Sequence, residues 1–525
     1  PSDETVQRLY RQAPEEIKKA LQALGHYHPQ IHSELARREG RWEARFTIDA
    51  GPPVRVEKVD LKITGEGETD PPFEAIPEQF PLKPGAVLNH GLYEDAKKKM
   101  QGLAAERGYF DARFTTSELQ VDVQRNRADI LLHFETGRRY RIGKVSFGGT
   151  EFDPGFLSRF VPFKPGEPYH TSHLLALQGN LVNSDYFATV DVRVLTEEAK
   201  GDQVPIAVTL TAKKKYQLSA GVGYGTDTGA RVKLGWEDRQ VNLRGHRFRT
   251  ELELSQIEQH ATATYEIPLA RPPADKLQFQ AGWKHEHTVT AESQQGMAGV
   301  ARTKGRTGGW IETLSLNYQA ELFQVGDQTG SSRLLLPGIS WARTLADNQN
   351  DPRRGSRLSF GVKGTTRTIG SDIDLIQAET QGKLIRPFGE RGRILLRGDL
   401  GWSRVSDFSR LPASLRFFAG GDRSIRGYRY QSLGPEDESG KVIGGRSLAV
   451  GSVEYDHRIK KDWSLAVFYD AGNAFNDWRK IDLKQGAGIG ARWHSPVGPV
   501  RLDLAYAISE PGITLRLHFN MGPDL

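Results

Sequence analysis

Hydrophobic and polar positions change their period once along this 525-residue chain, near residue 213. Before that point, apolar positions at helical spacing alternate with short runs of period two. The stretch from Leu92-Tyr93-Glu94-Asp95-Ala96 to Leu103-Ala104 reads as a helix, as does His173-Leu174-Leu175 to Leu181-Val182. A further helix is predicted near residues 15–24. After these helices come Ala23-Leu24-Gly25-His26-Tyr27, Glu106-Arg107-Gly108-Tyr109-Phe110 and Asn183-Ser184-Asp185-Tyr186-Phe187. Their tyrosines lie 82 and 77 residues apart, which indicates tandem modules rather than a short-period solenoid. Residues 129–134 read as a strand, and 140–145 open the next unit. Each complete unit is therefore β-α-α-β-β, an α+β module of ordinary domain size. The first unit has no room ahead of its helix for an opening strand and reads as truncated. The expected boundaries are 1–51, 52–137 and 138–213. A tight turn followed by a packed aromatic explains the tyrosine anchors, which mark the module without carrying chemistry.

From residue 214 to 525 the period is two. Phe248, Thr250, Leu252 and Leu254 alternate with Arg247, Arg249, Glu251 and Glu253. Leu277, Phe279, Ala281 and Trp283 alternate with Gln278, Gln280, Gly282 and Lys284. Near the end, Leu502, Leu504, Tyr506 and Ile508 alternate with Arg501, Asp503 and Ala505, and Leu515, Leu517 and Phe519 with Arg516 and His518. A soluble barrel buries its apolar face inside. Here long charged side chains fill one face of strand after strand, so the interior is wet and the apolar face meets lipid. About 19 residues per strand and turn give ~16 antiparallel strands, an all-β transmembrane barrel. Trp236, Trp283, Trp310, Trp341, Trp402, Trp463 and Trp493 supply candidates for interfacial girdles.

Composition adjusts this picture only slightly. Mean hydropathy is −0.53 and no run approaches the length of an apolar membrane helix, yet alternating strands hide their apolar face from an average. Cysteine is absent, which removes disulfides and thiolate chemistry and suits an oxidising periplasm. The opening Pro1-Ser2-Asp3 carries no signal-peptide pattern and reads as a mature or trimmed start. The net charge of +6 is dispersed, its densest clusters being Lys97–Lys99 and Lys213–Lys215. This favours a solvated face or anionic lipid over nucleic acid.

The stretch 417–428, Phe-Phe-Ala-Gly-Gly-Asp-Arg-Ser-Ile-Arg-Gly-Tyr, places Arg426 at the end of a glycine-rich bend. A buried guanidinium needs a carboxylate or an aromatic face. Ala466-Val467-Phe468-Tyr469-Asp470-Ala471-Gly472 offers both. Leu465, Val467 and Tyr469 make its apolar face, so Phe468 and Asp470 point into the lumen. A third segment, Gly488 to Pro499, reads as a strand closing into a Pro/Gly turn. At the start of the barrel, Gly221, Gly223, Gly225 and Gly229 weaken strand pairing. No helix signal follows them, so they do not form a phosphate loop.

With these residues the chain resembles the outer-membrane insertase superfamily, comprising the BamA-type, two-partner-secretion and TamA-type proteins, and its modules resemble POTRA domains. Ile425-Arg426-Gly427-Tyr428, Phe468-x-Asp470-x-Gly472 and Asp351-Pro352-Arg353-Arg354-Gly355 carry the resemblance. The form of 416–428, three modules and the ending Met521-Gly522-Pro523-Asp524-Leu525 are most similar to the TamA type. The resemblance implies that the sixth extracellular loop folds into the lumen and is tethered by Arg426 to Asp470, with Phe468 packed nearby. It also implies a weakly paired lateral seam between the first strand, near 216–225, and the last, near 513–520. Gly221, Gly223, Gly225, Leu515, Leu517 and Phe519 would line that seam. The implied activity is insertion or translocation of β-barrel clients such as autotransporters in a Gram-negative outer membrane, with the modules in the periplasm. Outer-membrane lipid and the inner-membrane-anchored TamB are the implied partners.

Other readings remain open: a two-partner-secretion pore for one exoprotein, a passive porin, or a barrel enzyme. Against the last, the chain has no Gly-x-Ser-x-Gly, His-Glu-x-x-His or Walker loop. His285-Glu286-His287 puts two imidazoles on one strand face without a third ligand, so no metal or cofactor is expected.

Overall fold

The computed structural model describes residues 2–38, 41–272, 274–348, 350–495 and 498–521. Pro496 and Val497 of the closing turn, and Gly522 to Leu525 of the ending, lie outside the described residues. The described residues fall into two compact units, one drawn from 2–150, 161–182 and 187–211, the other from 151–160, 183–186 and 212–521.

The α/β elements lie mostly in the first unit, while residues 151–160 and 183–186 group with the second. Helix α1 (Asp3–Ala23) is longer than the periodicity predicted and precedes the antiparallel pair β1 (Gln30–Arg38) and β2 (Arg41–Asp49). Tyr10 on α1 packs on Phe46 at 5.7 Å and donates to Ser33 Oγ at 3.0 Å. The next module runs β3 (Arg55–Thr64), the short turns α2 (Pro71–Glu74) and α3 (Ile76–Gln79), α4 (His90–Arg107), β4 (Arg113–Asp122) and β5 (Arg127–Glu135). Its sheet has the order β3-β5-β4, with β3 parallel and β4 antiparallel to the central β5. Alternation on β5 sends Ala128, Ile130, Leu132 and Phe134 inward, where Tyr93, Met100 and Ala104 of α4 meet the sheet. The third set repeats the plan with β6 (Arg141–Gly148), α5 (Pro154–Leu157), α6 (Thr171–Asn183), β7 (Phe187–Val194) and β8 (Gln203–Ala212), in sheet order β6-β8-β7. Gly25, Gly108 and Asp185 all take positive φ, at 92°, 83° and 64°, so the tyrosine anchors follow a left-handed turn as expected.

One ion cluster locks the middle module. Arg107 grips Asp70 through two hydrogen bonds of 2.7 Å, and Tyr109 donates to the same carboxylate at 3.0 Å. Burial opposes the Asp70 charge, but Arg107 and Tyr109 outweigh it and hold the carboxyl below its ordinary range. Burial and the adjacent Asp70 push the Tyr109 hydroxyl up to about 12.

The second unit is dominated by one antiparallel sheet of 16 strands in strict sequence order. Its first half is β9 (Tyr216–Gly225), β10 (Gly229–Asp238), β11 (Arg247–Ser255), β12 (Glu258–Pro268), β13 (Lys276–His287), β14 (Ala291–Gly305), β15 (Ile311–Val325) and β16 (Gln328–Ala346). The second half is β17 (Gly355–Thr365), β18 (Leu375–Phe388), β19 (Gly392–Val405), β20 (Ser447–Lys460), β21 (Trp463–Phe475), β22 (Lys484–Ser495), β23 (Gly498–Ala507) and β24 (Leu515–Met521). Alternation places the apolar residues outside: Leu465, Val467 and Tyr469 are all exposed, as are Leu252, Leu254, Phe279 and Trp283. The inward face carries cross-strand ion pairs, among them Lys233–Glu251 at 2.6 Å, Lys284–Glu258 at 3.1 Å and Lys363–Glu379 at 3.2 Å. Trp236, Trp310, Trp341, Trp463 and Trp493 lie toward the end where the chain enters β9, and Trp283 and Trp402 toward the other, so two aromatic belts bracket the apolar band.

Candidate functional site

The connection between β19 and β20, residues 406–446, is the sixth loop at the far end of the barrel and the longest connection in it. Its tip turns inward. Ile425 is fully buried and clusters with Ala419, Tyr428, Leu433, Val450 and Ala507. Gly427 takes φ +100°, and a Cβ there would sit 3.0 Å from the Ala507 backbone nitrogen, so both conformation and space demand glycine. Tyr428 donates to the Gln485 carbonyl at 3.3 Å.

Arg426 forks onto Asp470, with Nε to Oδ2 at 2.8 Å and Nη2 to Oδ1 at 2.9 Å, and its backbone N–H adds a third bond at 3.1 Å. Its guanidinium carbon lies 3.4 Å from the Phe468 ring centroid. The pairing read from strand parity is therefore present, but it is not a simple pair. Nη1 also donates to Glu454 at 2.7 Å and to Asp503 at 3.2 Å. Arg492 answers the same two carboxylates, at 2.9 Å and 2.5 Å. Two guanidinium groups thus share three carboxylates from β20, β21 and β23. Ser452 completes the set by donating to Asp470 at 2.5 Å. Glu454, Arg492 and Ser452 were missed in the sequence, although each occupies the inward parity of its strand and Asp503 was already on the inward list.

Room for the loop comes from β22. Gly486, Gly488 and Gly490 occupy successive inward positions, and Cβ atoms there would overlap the Arg426 carbonyl, the Leu504 carbonyl and the Asp503 carboxylate respectively. Gly472 plays the corresponding part on β21, where a Cβ would overlap the Ala449 carbonyl.

The Asp351-Pro352-Arg353-Arg354-Gly355 motif forms the turn between β16 and β17 at the opposite rim. Asp351 receives Arg393 at 3.1 Å and Arg458 at 2.6 Å and lies 3.0 Å from His494 Nδ1. Burial opposes its charge, but His494, Arg393 and Arg458 outweigh it and hold the carboxyl well below the ordinary range. His285 and His287 face Glu292, at 4.0 Å and 3.6 Å.

The two ends of the sheet meet poorly. Among the described residues, one backbone hydrogen bond joins the first hairpin to β24, from Thr226 N–H to the Phe519 carbonyl at 3.1 Å. The Phe519 N–H goes to Thr226 Oγ1 at 2.6 Å, and the Tyr224 and Phe519 rings lie 6.1 Å apart. β24 has seven residues and begins at Leu515 rather than 513, whereas β9 has ten. Antiparallel continuation from Thr226–Phe519 sets the described residues of β24 against 224 and beyond. Tyr216 to Val222 of β9, with Gly221 among them, are exposed on both faces and have no described strand partner on the seam side. Gly223 packs under Arg231 of β10, while Gly225 approaches the Phe519 carbonyl. Leu515 and Leu517 direct their side chains to the lipid face, so their contribution to the seam is through the backbone.

Comparison with known proteins agrees with the fold. The family model described as the Omp85 superfamily domain matches residues 212–524. The chain belongs to the Omp85 superfamily. Residues 54–137 and 140–213 match the POTRA model described as surface antigen variable number repeat, and residues 1–50 match the model of POTRA domain TamA domain 1. Among Omp85-type relatives, the outer membrane protein assembly factor BamA of Neisseria meningitidis is 22% identical over 89% of this chain and 66% of its own length. The BamA of Nitratidesulfovibrio vulgaris is also 22% identical, over 89% of this chain and 61% of its own length. The chain thus spans about two thirds or less of these relatives. The chloroplastic outer envelope protein 80 of Oryza sativa is 33% identical over 87% of this chain and 72% of its own length. In fold, the chain is similar to the crystal structure of Haemophilus ducreyi BamA lacking POTRA domains 1–3, with a TM-score of 0.75, 18% identity, and coverage of 89% of this chain and 99% of that one. As an Omp85 protein with POTRA domains and a 16-stranded barrel, the chain is an outer-membrane protein with its POTRA domains in the periplasm.

Proposed function

We propose that this chain is an outer-membrane assembly factor of the TamA type, inserting or translocating β-barrel clients, autotransporters among them, through the seam between β9 and β24. The observation that carries the reading is the edge of β9 from Tyr216 to Val222, which has no strand partner on the seam side among the described residues. Backbone donors and acceptors left unpaired at membrane depth are costly. An incoming client strand relieves that cost by adding to the edge, and needs no chemical energy to do so. The tether of Arg426 to Asp470 holds loop 6 inside the lumen while the seam works. The match of residues 1–50 to the first TamA POTRA model favours the TamA type over other Omp85 branches, and with it TamB as the periplasm-bridging partner.

The chain has no cysteine, so an introduced pair is unique. Cysteines replacing Tyr224 and Phe519 are expected to abolish client insertion when oxidised and restore it when reduced. Undiminished insertion in the oxidised protein would overturn the seam reading. Capture of TamB by the full-length chain, lost when residues 1–50 are removed, tests the partner separately.

A further inference from the structure

At the outer end of the seam, three parts of the barrel converge on two side chains. Among the described residues, the hydrogen bonds of Asp422 of loop 6 go elsewhere than to the strands that hold Arg426. The Asp422 backbone N–H donates to Asp227 Oδ2, in the first hairpin, at 2.6 Å. Its carboxylate is hydrogen-bonded to His518 Nδ1 on the last strand. The other ring nitrogen of His518, Nε2, accepts the Gly427 N–H at 2.9 Å. Gly421, at φ +104°, lets the loop approach, since a Cβ there would lie 2.5 Å from Asp227 Oδ2.

The trio Asp227, Asp422 and His518 brings carboxylate and imidazole atoms within 4.8 Å of one another, a spacing suited to a cation. The tautomer argues otherwise. A backbone N–H can only donate, so Nε2 of His518 is bare and Nδ1 of the neutral ring carries the proton. That proton is directed at Asp422, and Nδ1 has no lone pair left for a metal. The arrangement is a hydrogen-bond relay.

We propose that Asp422 and His518 form a clasp that closes the seam by joining loop 6 to the first hairpin and the last strand at once. The inference rests on the seam reading above and adds its gatekeeper. One loop carries both Arg426, anchored to β20, β21 and β23, and Asp422, which spans the gap those strands do not close. Opening the seam therefore requires Asp422 to leave Asp227 or His518, and releasing loop 6 removes the strap altogether. Asp227 acts both ways, because its carboxylate accepts the Asp422 N–H but also sets a second negative charge against the Asp422 carboxylate. Asparagine in its place keeps the acceptor for the Asp422 N–H and adds a donor toward the Asp422 carboxylate.

Seam width can be read without a client, by spin labels on cysteines replacing Val222 and Leu517 in the protein in lipid nanodiscs. Asp422→Ala and His518→Phe should each raise the population at longer separation by about tenfold, the scale of one charge-assisted hydrogen bond. Asp227→Asn should lower it, a direction that misfolding does not produce. Distances unchanged in all three variants, or lengthened in Asp227→Asn as well, would overturn the clasp. If the distances respond as expected while client insertion stays constant, the clasp stands and the seam reading of function falls.

Discussion

Removing the Arg426 side chain by Arg426→Met tests the core of the site. The side chain makes four hydrogen bonds of 3.2 Å or less to three carboxylates, and its removal leaves Asp470 without these bonds while Glu454 and Asp503 keep theirs to Arg492. Breaking a buried ion pair from one side costs about 3–5 kcal/mol. The backbone N–H of Arg426, the buried Ile425 and Tyr428, and the Gly427–His518 bond remain to hold the loop. At about 1.4 kcal/mol per factor of ten, the released population of loop 6 should rise by two to nearly four powers of ten. Ala419, 1% exposed within the loop's buried cluster, is a suitable reporter site, because Ala419→Cys introduces the chain's one thiol at little change of volume. Its labelling rate follows the released fraction. A charge exchange, Arg426→Glu with Asp470→Arg, would restore a simple pair. Here it should fail, because the introduced glutamate would face Glu454 and Asp503. Arg426→Met with Asp470→Leu removes one charge of each sign and leaves Arg492 to pair with the other two carboxylates, so it should recover much of the loss. Labelling of Arg426→Met within about threefold of the parent, or full rescue by the charge exchange, would refute the three-carboxylate account.

The other predictions concern the parts that support this site. Gly486→Ala should free loop 6 by about 1–3 kcal/mol of overpacking, raising Ala419→Cys labelling, whereas Gly451→Ala, which meets open space, should leave it unchanged. Asp351→Asn should destabilise the barrel at neutral pH by about 2–3 kcal/mol, discounted for partial exposure, as read by the heat-shifted gel mobility of the folded barrel. Because the folded Asp351 carboxyl lies below its ordinary range, its contribution is present above about pH 4 and lost as pH falls toward its own lower value, so the difference should vanish in strong acid. Asp70→Asn should speed amide exchange across residues 90–107 by about a hundredfold at pH 7, since it unpairs Arg107, and the effect should shrink in acid for the same reason of sign.

Much of the molecule was legible in sequence because alternation is a local signal. Which face a residue takes follows from counting by two, and this placed Asp470 and Phe468 inside and Val467 and Tyr469 outside. The same counting fixed the wet lumen and the number of strands, and the repeated tyrosine anchors marked the modules. Parity does not, however, give height along the barrel or position around it. Glu454, Arg492 and Asp503 share an inward parity with many other charged residues, and only the strand register, Ser452 beside Asp470 and Glu454 beside Phe468, selects them as partners of Arg426. The glycine row of β22 read as a plain strand for a related reason: its purpose is to make space for a loop folded in from about sixty residues earlier. Asp227, Asp422 and His518 lie in three segments spread over nearly three hundred residues, and nothing local links them. Sequence by itself determined faces, modules and the identity of the anchoring arginine. Tertiary structure decided which charges meet and how far the first strand runs beyond the described residues of the last, since both depend on register compared across the sheet, a quantity that no single strand contains.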